Sequence, residues 1–579
     1  MHTVPAPAAT IPAMSSPRFF SPLACLLLAL PWLTPFAPGP SPAVVPWLVA
    51  LMCTATLLGL SALRDRAGSP VRESLAAHWA APFAWALLLA GAFSVVMGLL
   101  QYFGLAAAFE PWIKQGTPGE AFANLRQRNQ FATLTNLALA AALWLAARSA
   151  PPSLRLAPAA ANAANATNAI NAANAAADWS GETSAASASL GSRTHWRWRG
   201  AGALWPAAAV LLAAGNVASS SRTGLLQLVL LLALYAVWGG WRHAGQRRVL
   251  LAAAIGYAVF LFALPYLAGF DLGERGMFAR LREAPACGSR LVLWTNVLQL
   301  IGLRPWLGWG WGELDFAHYM TLYSGPRFCE ILDNAHNLPL HLAFTWGVPA
   351  ALLGCGLAAW WVVVRSPWRE SDASRQLAWA GLALIGLHSL VEYPLWYGPF
   401  QIAAGLCIGL LWRRKYTDTS GILEPDRPLG HTIRAPVAII LIATAGYALW
   451  DYHRISQIYL PPEARAANYR FDASAQARRS WLFRDQVDFA ELTTTPVTRE
   501  NAKTTFIKAD RMLHYSPEPR VIEKAIESAV MLGLDDDALA HLSRFRAAFP
   551  ADHAAWVRAN EQAGERRAGD KPAEQRTTR

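Results

Sequence analysis

Charge is scarce in this chain. Only 15% of its 579 residues are Asp, Glu, Lys or Arg, against 54% hydrophobic, which excludes a large soluble enzyme and leaves an integral membrane protein. Cysteine is sparse too, and none of the six falls in a zinc-like Cys/His spacing. No clear small-x-small cleavage site follows the first apolar stretch, and Arg18 is the only basic residue before it. Residues 19–36 therefore read as a retained span rather than a signal peptide, although Pro31 and Pro35 interrupt them. Ionisable residues deep inside the apolar stretches and internal repeats are both rare, which argues against a transporter or channel with a basic vestibule.

What is present is a series of long apolar stretches. A helix that crosses a bilayer needs ~20 mostly apolar residues. That window gives about eleven spans, near 19–36, 41–63, 79–103, 129–147, 201–217, 223–240, 249–268, 338–364, 377–393, 396–412 and 435–450. Basic residues collect on the cytoplasmic side of such spans. Placing the N-terminus in the cytoplasm puts four clusters there: Arg64, Arg66 and Arg72; Arg242, Arg247 and Arg248; Arg365, Arg369 and Arg375; Arg413, Arg414 and Lys415. The net charge of +12 is then mostly a topology signal, and no nucleic-acid partner is expected. The fold expected is an all-α, polytopic membrane helical bundle.

Its organisation follows. N-terminal transmembrane helices occupy 1–150, and a low-complexity cytoplasmic insert occupies 151–200, with Asn162, Asn165, Asn168, Asn171 and Asn174 recurring among alanines. Further transmembrane helices cover 201–268 and 338–450, on either side of a long polar outer loop at 269–337. Residues 451–579 form an outer, charge-rich helical domain. Its Val521-Ile522-Lys524-Ala525-Ile526-Ala529-Val530 and Ala538-Leu539-Leu542-Phe545-Phe549 patterns, separated by Gly533, suggest helical hairpins of tetratricopeptide-like kind, ending in ~15 residues of disordered composition.

Candidate chemistry gathers at the outer ends of the spans. Arg222 follows Ser219-Ser220-Ser221, and Arg290 closes Gly288-Ser289-Arg290 before an apolar segment, Leu291 to Ile301, that reads as an interfacial helix. Each arginine is either a snorkelling anchor for lipid head groups or a fork gripping phosphate oxygens. Arg126, Arg128 and Gln130 stand at another outer span start, where each arginine is either a surface anchor or part of an electropositive cup for a lipid-linked anion. His336, in Asp333-Asn334-Ala335-His336-Asn337, is either a structural histidine at a helix start or a general base. Glu392 and Tyr393 could orient His336 or the substrate, or pair with an arginine, whereas His341 and His388 read as structural. Cys25, Cys53, Cys355 and Cys407 lie in spans and read as packing residues. Cys287 and Cys329 share the outer loop and either pair as a disulfide or stay free.

The order Ser221-Arg222-Thr223-Gly224, Gly288-Ser289-Arg290, a Gly-Trp-Gly run and Asn334-Ala335-His336-Asn337 resembles the O-antigen ligase and polymerase superfamily. Arg128-Asn129-Gln130-Phe131, Val391-Glu392-Tyr393-Pro394-Leu395 and the helical tail resemble one branch, the bacterial protein O-oligosaccharyltransferases of the PglL type. The resemblance covers roughly residues 20 to 540. It implies a glycan donor on undecaprenyl pyrophosphate and a Ser or Thr acceptor on a periplasmic or pilin-like protein, with the enzyme in the bacterial inner membrane. It further implies His336 as general base, Arg222 and Arg290 on the pyrophosphate, Gln130 and Tyr393 linked to activity, and no cofactor or metal. Ligation of O-antigen to lipid A core, or glycan polymerisation, would use the same donor chemistry.

Overall fold

The computed structural model describes residues 17–66, 75–149, 191–271, 273, 276–282, 287–412 and 429–569. Most of the insert, Arg72, the Arg413, Arg414 and Lys415 cluster and the last ten residues lie outside them. Every regular element among the described residues is helical. The chain is a multi-pass membrane protein, and six of its described helices are long and apolar enough to cross a bilayer.

The membrane part comprises α1 (Pro17–Leu33), α2 (Val44–Arg66), α3 (Leu75–Tyr102), α4 (Arg128–Arg148), α5 (Gly191–Ala218), α6 (Arg222–Val237) and α7 (Ala244–Leu267). The loop region contributes α8 (Met277–Arg282), α9 (Arg290–Leu303) and α10 (Leu314–Met320). Then follow α11 (Leu338–Trp346), α12 (Val348–Arg365), α13 (Ala373–Ser389), α14 (Gly398–Trp412) and α15 (Leu429–Ser456). Each of the expected apolar stretches carries helix, but several helices fall short of a full crossing on their own. The helix at α5 starts at Gly191, ahead of the expected boundary at 201, because a hydropathy window stops where Trp196-Arg197-Trp198-Arg199 begins while a helix can run on through such interface residues.

At the centre stands α4, buried along its whole length from Gln130 to Ala146. Small side chains make that possible: Ala132, Ala138, Ala140, Ala141 and Ala142 are fully buried and let α3, α5, α6, α7 and α13 approach closely. A polar seam crosses this core. Asn136 Nδ2 donates to the Gly224 carbonyl at 3.0 Å, and Gln227 Nε2 donates to the Leu384 carbonyl at 2.8 Å. The Thr133 hydroxyl sits 2.9 Å from His388 Nδ1 and 3.0 Å from Gln227 Oε1. These bonds tie α6 and α13 to α4, and His388 takes part in them through Nδ1.

One expected span is broken. Residues 338–364 were expected as a single helix, but α11 ends at Trp346 and α12 starts at Val348, separated by Gly347 at φ +86. The cause is the aromatic-glycine run between Trp306 and Trp311. Its backbone lies on the junction, with Trp309 N–H donating to the Phe344 carbonyl, Gly310 N–H to the Thr345 carbonyl, and Val348 N–H to the Pro305 carbonyl. A β-carbon on Gly347 would stand 2.1 Å from the Trp306 carbonyl oxygen, and one on Gly308 would stand 2.5 Å from that of Phe344. Gly347→Ala is therefore expected to destabilise the protein by at least ~2 kcal/mol, through strain at this φ and displaced backbone. Thermal unfolding in detergent measures it, and an unchanged midpoint would contradict the account.

The loop is less polar than its composition suggests. Leu293, Val297, Leu300 and Ile301 of α9 pack with Leu314, Ala317, Phe328, Leu332, Ala335 and Phe344 into a core of its own. Its α10 is also the dock for the C-terminal region, which comprises α16 (Ala473–Ala477), α17 (Arg484–Thr494), α18 (Ala502–Tyr515), α19 (Pro519–Leu532), α20 (Asp535–Ala548) and α21 (Pro550–Gly569). Both helical patterns read from the sequence are helices here, with Gly533 at φ +70 closing α19. Tyr319 of α10 enters the core of this region and bonds His541 at 3.0 Å, while His514 meets Glu313 at 2.7 Å. Loop and tail thus lie on the same side of the bundle.

Candidate active site

Four chain segments meet at the loop end of the bundle, and Glu392 is where they join. It lies just past α13, is 4% exposed, and its two oxygens accept bonds from four side chains. His336 Nδ1 is 2.8 Å from Oε2, and Gln127 Nε2 donates to the same oxygen at 3.0 Å. Arg290 Nη2 pairs with Oε1, and Asn129 Nδ2 donates to it at 3.1 Å. Each contributor is fixed by its own helix start. Asn129 belongs to the first turn of α4 and also accepts the Ser221 hydroxyl at 2.6 Å, and Ser221 caps α6 by accepting Gly224 N–H. Arg290 opens α9, capped by Ser289.

His336 precedes α11 and its cap Asn337, at φ +49, a conformation that L-residues rarely adopt. Asn334 Oδ1 accepts its N–H at 3.0 Å, and Trp294 of α9 donates to the Ala335 carbonyl at 3.1 Å. The Tyr393 ring meets the imidazole edge-on, with centroids 4.8 Å apart. His341, one turn on, accepts Ala335 N–H and packs on Trp396, a structural role.

The electrostatics decide the tautomer. Burial alone would raise the Glu392 carboxyl, but the bond from His336 and the positive Arg290 guanidinium outweigh it and hold the group at about 2. A carboxylate that stays ionised accepts the Nδ1 proton, which leaves the lone pair of His336 on Nε2. The imidazole is 16% exposed. Burial, with the neighbouring Tyr397, pushes the Tyr393 hydroxyl up, keeping it protonated at neutral pH.

The structure thus brings together His336, Glu392, Arg290 and Tyr393. Arg222 is the first residue of α6, one position from Ser221, and is exposed with its guanidinium uncommitted among the described residues. Arg128 turns to Glu120 instead, at 3.3 Å. Gln130 is buried at 2% exposure and reaches Tyr397, which is in turn bonded to Tyr393. The sequence reading missed Gln127 and Asn129.

Cys287 and Cys329 form a disulfide, with Cα atoms 5.5 Å apart. It ties the residue before Gly288-Ser289-Arg290 to the segment leading into His336. Closing a loop across a separation of 42 residues is worth about 4 kcal/mol in the chain-entropy treatment. Cys287→Ser is expected to lower the unfolding midpoint by a comparable loss and to weaken donor use. A melting curve in detergent with and without reductant checks it, and a wild-type curve for the variant would contradict it.

Three family models match the chain in sequence order. "Protein glycosylation ligase" covers 121–146, "O-Antigen ligase" covers 207–355, and "Virulence factor membrane-bound polymerase, C-terminal" covers 376–563. The first holds Gln127, Asn129 and Gln130, the second holds Arg222, Arg290 and His336, and the third holds Glu392 and Tyr393. The chain is thus similar to the O-antigen ligase superfamily and, over 121–146, to its PglL-type branch. It is similar to a general O-oligosaccharyltransferase of Acinetobacter baylyi, 27% identical over 225 residues, 36% of this chain and 37% of that one. It is also similar to a ComP-specific O-oligosaccharyltransferase of the same organism, 22% identical over 196 residues, 34% and 35% of the two chains. The match spans little more than a third of the length of either curated relative. No solved structure matches.

Proposed function

We propose that this chain is an inner-membrane oligosaccharyltransferase that moves a glycan en bloc from undecaprenyl pyrophosphate to a Ser or Thr hydroxyl of a periplasmic protein such as a pilin. The observation that carries the reading is the His336–Glu392–Arg290 constellation, closed by amides from α4 at the loop end of the bundle. The similarity to O-oligosaccharyltransferases, with the loop and tail on one side, supports it.

In this reading the acceptor hydroxyl donates its proton to His336 Nε2 while its oxygen bonds the anomeric carbon. The bond from that carbon to the pyrophosphate oxygen breaks, and the electron pair leaves on the pyrophosphate. Arg222, whose guanidinium is uncommitted among the described residues, takes that charge, and Arg290 adds the donors that Glu392 leaves open. Glu392 touches no reacting atom. It holds Nδ1–H and so fixes the imidazole, as a positioning residue. Tyr393 packs the ring in place, and Gln130 and Arg128 belong to the surrounding polar shell.

The acceptor is tested by offering rivals. Expressed in a host that supplies a lipid-linked glycan, the protein is expected to glycosylate a co-expressed pilin and to leave lipid A core unmodified. Glycan on lipid A core alone would instead make it an O-antigen ligase. Elongated glycan with neither acceptor modified would make it a polymerase.

A further inference from the structure

The end of α15 nearest the tail holds a turn that the transfer site does not use. Asp451 stands where the apolar run 435–450 stops, and it is fully buried. A carboxylate in that position needs donors. It accepts the Ser480 hydroxyl at 2.9 Å, the Trp481 N–H at 3.3 Å and the Leu482 N–H at 3.1 Å, and it pairs with Arg454. Arg454 donates in turn to the Arg479 carbonyl at 3.0 Å. A turn 30 residues downstream is thereby pinned to the level at which α15 stops being apolar.

The inner side of the turn is filled. Ala477, Phe483 and Val487 pack on Tyr452 and Ile455 of α15 and on Val44 and Val45 of α2. Its other side chains are left outside. Trp481 is 76% exposed, with Leu482 exposed beside it. Arg479 and Arg484 flank them, exposed, and their guanidiniums pair with nothing among the described residues, whereas Arg478 is taken by Glu491 at 2.6 Å. What covers these groups follows from their depth. Ile439, Ile440, Tyr447 and Trp450 give α15 an exposed apolar side, which in a membrane protein faces lipid. That side passes from aliphatic to aromatic on the way to Asp451, the order found at the edge of the hydrocarbon. An indole at this level, between uncommitted guanidiniums, suits lipid head groups: the ring lies in the interface and the cations reach phosphates. A soluble protein partner would need the turn to stand clear of the bilayer, and Asp451 holds it down.

We propose that the 479–484 turn seats the C-terminal region on the bilayer, with Trp481 and Leu482 in the interface and Arg479 and Arg484 on the phosphates of anionic phospholipids. The surface does not depend on the transfer chemistry at His336, and it stands or falls without it.

The test places the photoreactive residue benzoylphenylalanine at position 481 of the full-length protein, in nanodiscs of mixed phosphatidylcholine and phosphatidylglycerol. After illumination, mass spectrometry should find lipid adducts in which phosphatidylglycerol exceeds its share of the bilayer at least ~3-fold, because basic residues at a surface attract anionic lipid. The same label at Leu357, exposed in the middle of the spanning helix α12, should give adducts in the proportions of the bilayer. Arg479→Gln combined with Arg484→Gln should abolish the preference at 481 while phosphatidylcholine adducts persist. Both side chains are exposed, and the Arg479 carbonyl is kept, so this variant should fold, which a melting curve verifies. Adducts at 481 confined to protein, a second copy of this chain included, would overturn the proposal. So would lipid adducts at 481 with no head-group preference, an equal preference at Leu357, or a preference that survives the loss of both arginines.

Discussion

His336→Ala is expected to reduce glycan transfer by about 10²–10⁴-fold, the range for loss of a general base. The acceptor hydroxyl is a poor nucleophile until its proton leaves, and Nε2 is the ring nitrogen the geometry leaves free. The protein should still insert and fold, because the imidazole is partly exposed and its backbone is fixed by Asn334 and by the cap of α11. Retention of donor lipid should be unchanged as well. Transfer at the wild-type rate would place the base elsewhere.

Glu392→Gln should cost both activity and stability. The amide keeps the shape but lacks the charge that faces Arg290, and it cannot accept at both ends from four donors. Only the carboxylate is buried while the Arg290 side chain is 37% exposed, so losing the charge costs about 1–3 kcal/mol. Loss of the fixed Nδ1–H bond should lower transfer by about 10²-fold, as seen when an orienting partner is removed. The carboxylate also sets an acid limit. Its folded value of about 2 lies below its ordinary 4.5, so its contribution is fully present above 4.5 and is lost as pH falls toward 2. Unfolding midpoints between pH 5 and 2.5 should therefore fall more steeply for wild type than for Glu392→Gln. Parallel curves would show that the carboxylate carries no such stabilisation.

Much of the bundle could be read from the sequence because a bilayer imposes a simple rule, long apolar helices, and each apolar stretch holds helix. The central place of α4 was not readable. Its Ala-rich sequence scores as one more span, and only the packing shows that five helices share it. The break at Gly347 was equally hidden, since its cause is the Trp306 backbone far upstream. At the site, the arginines and His336 stood out because cations at an outer membrane edge need a reason. The joining role of Glu392 was left open among three alternatives, and its partners Gln127 and Asn129 were missed. Uncharged amides give no such signal, and what makes them matter is a contact across more than 260 residues of chain. The docking of the tail on α10 depends on Tyr319 and His541, a pair no periodicity could join.

The central claim is that His336 and Glu392 act as one unit, base and holder. Transfer rates for His336→Ala, Glu392→Gln and the double variant, measured with one purified donor and acceptor, test it most directly. Groups that act as a unit lose activity non-additively. The double variant should be no slower than His336→Ala alone. Losses that multiply, or a Glu392→Gln variant as fast as wild type, would contradict it.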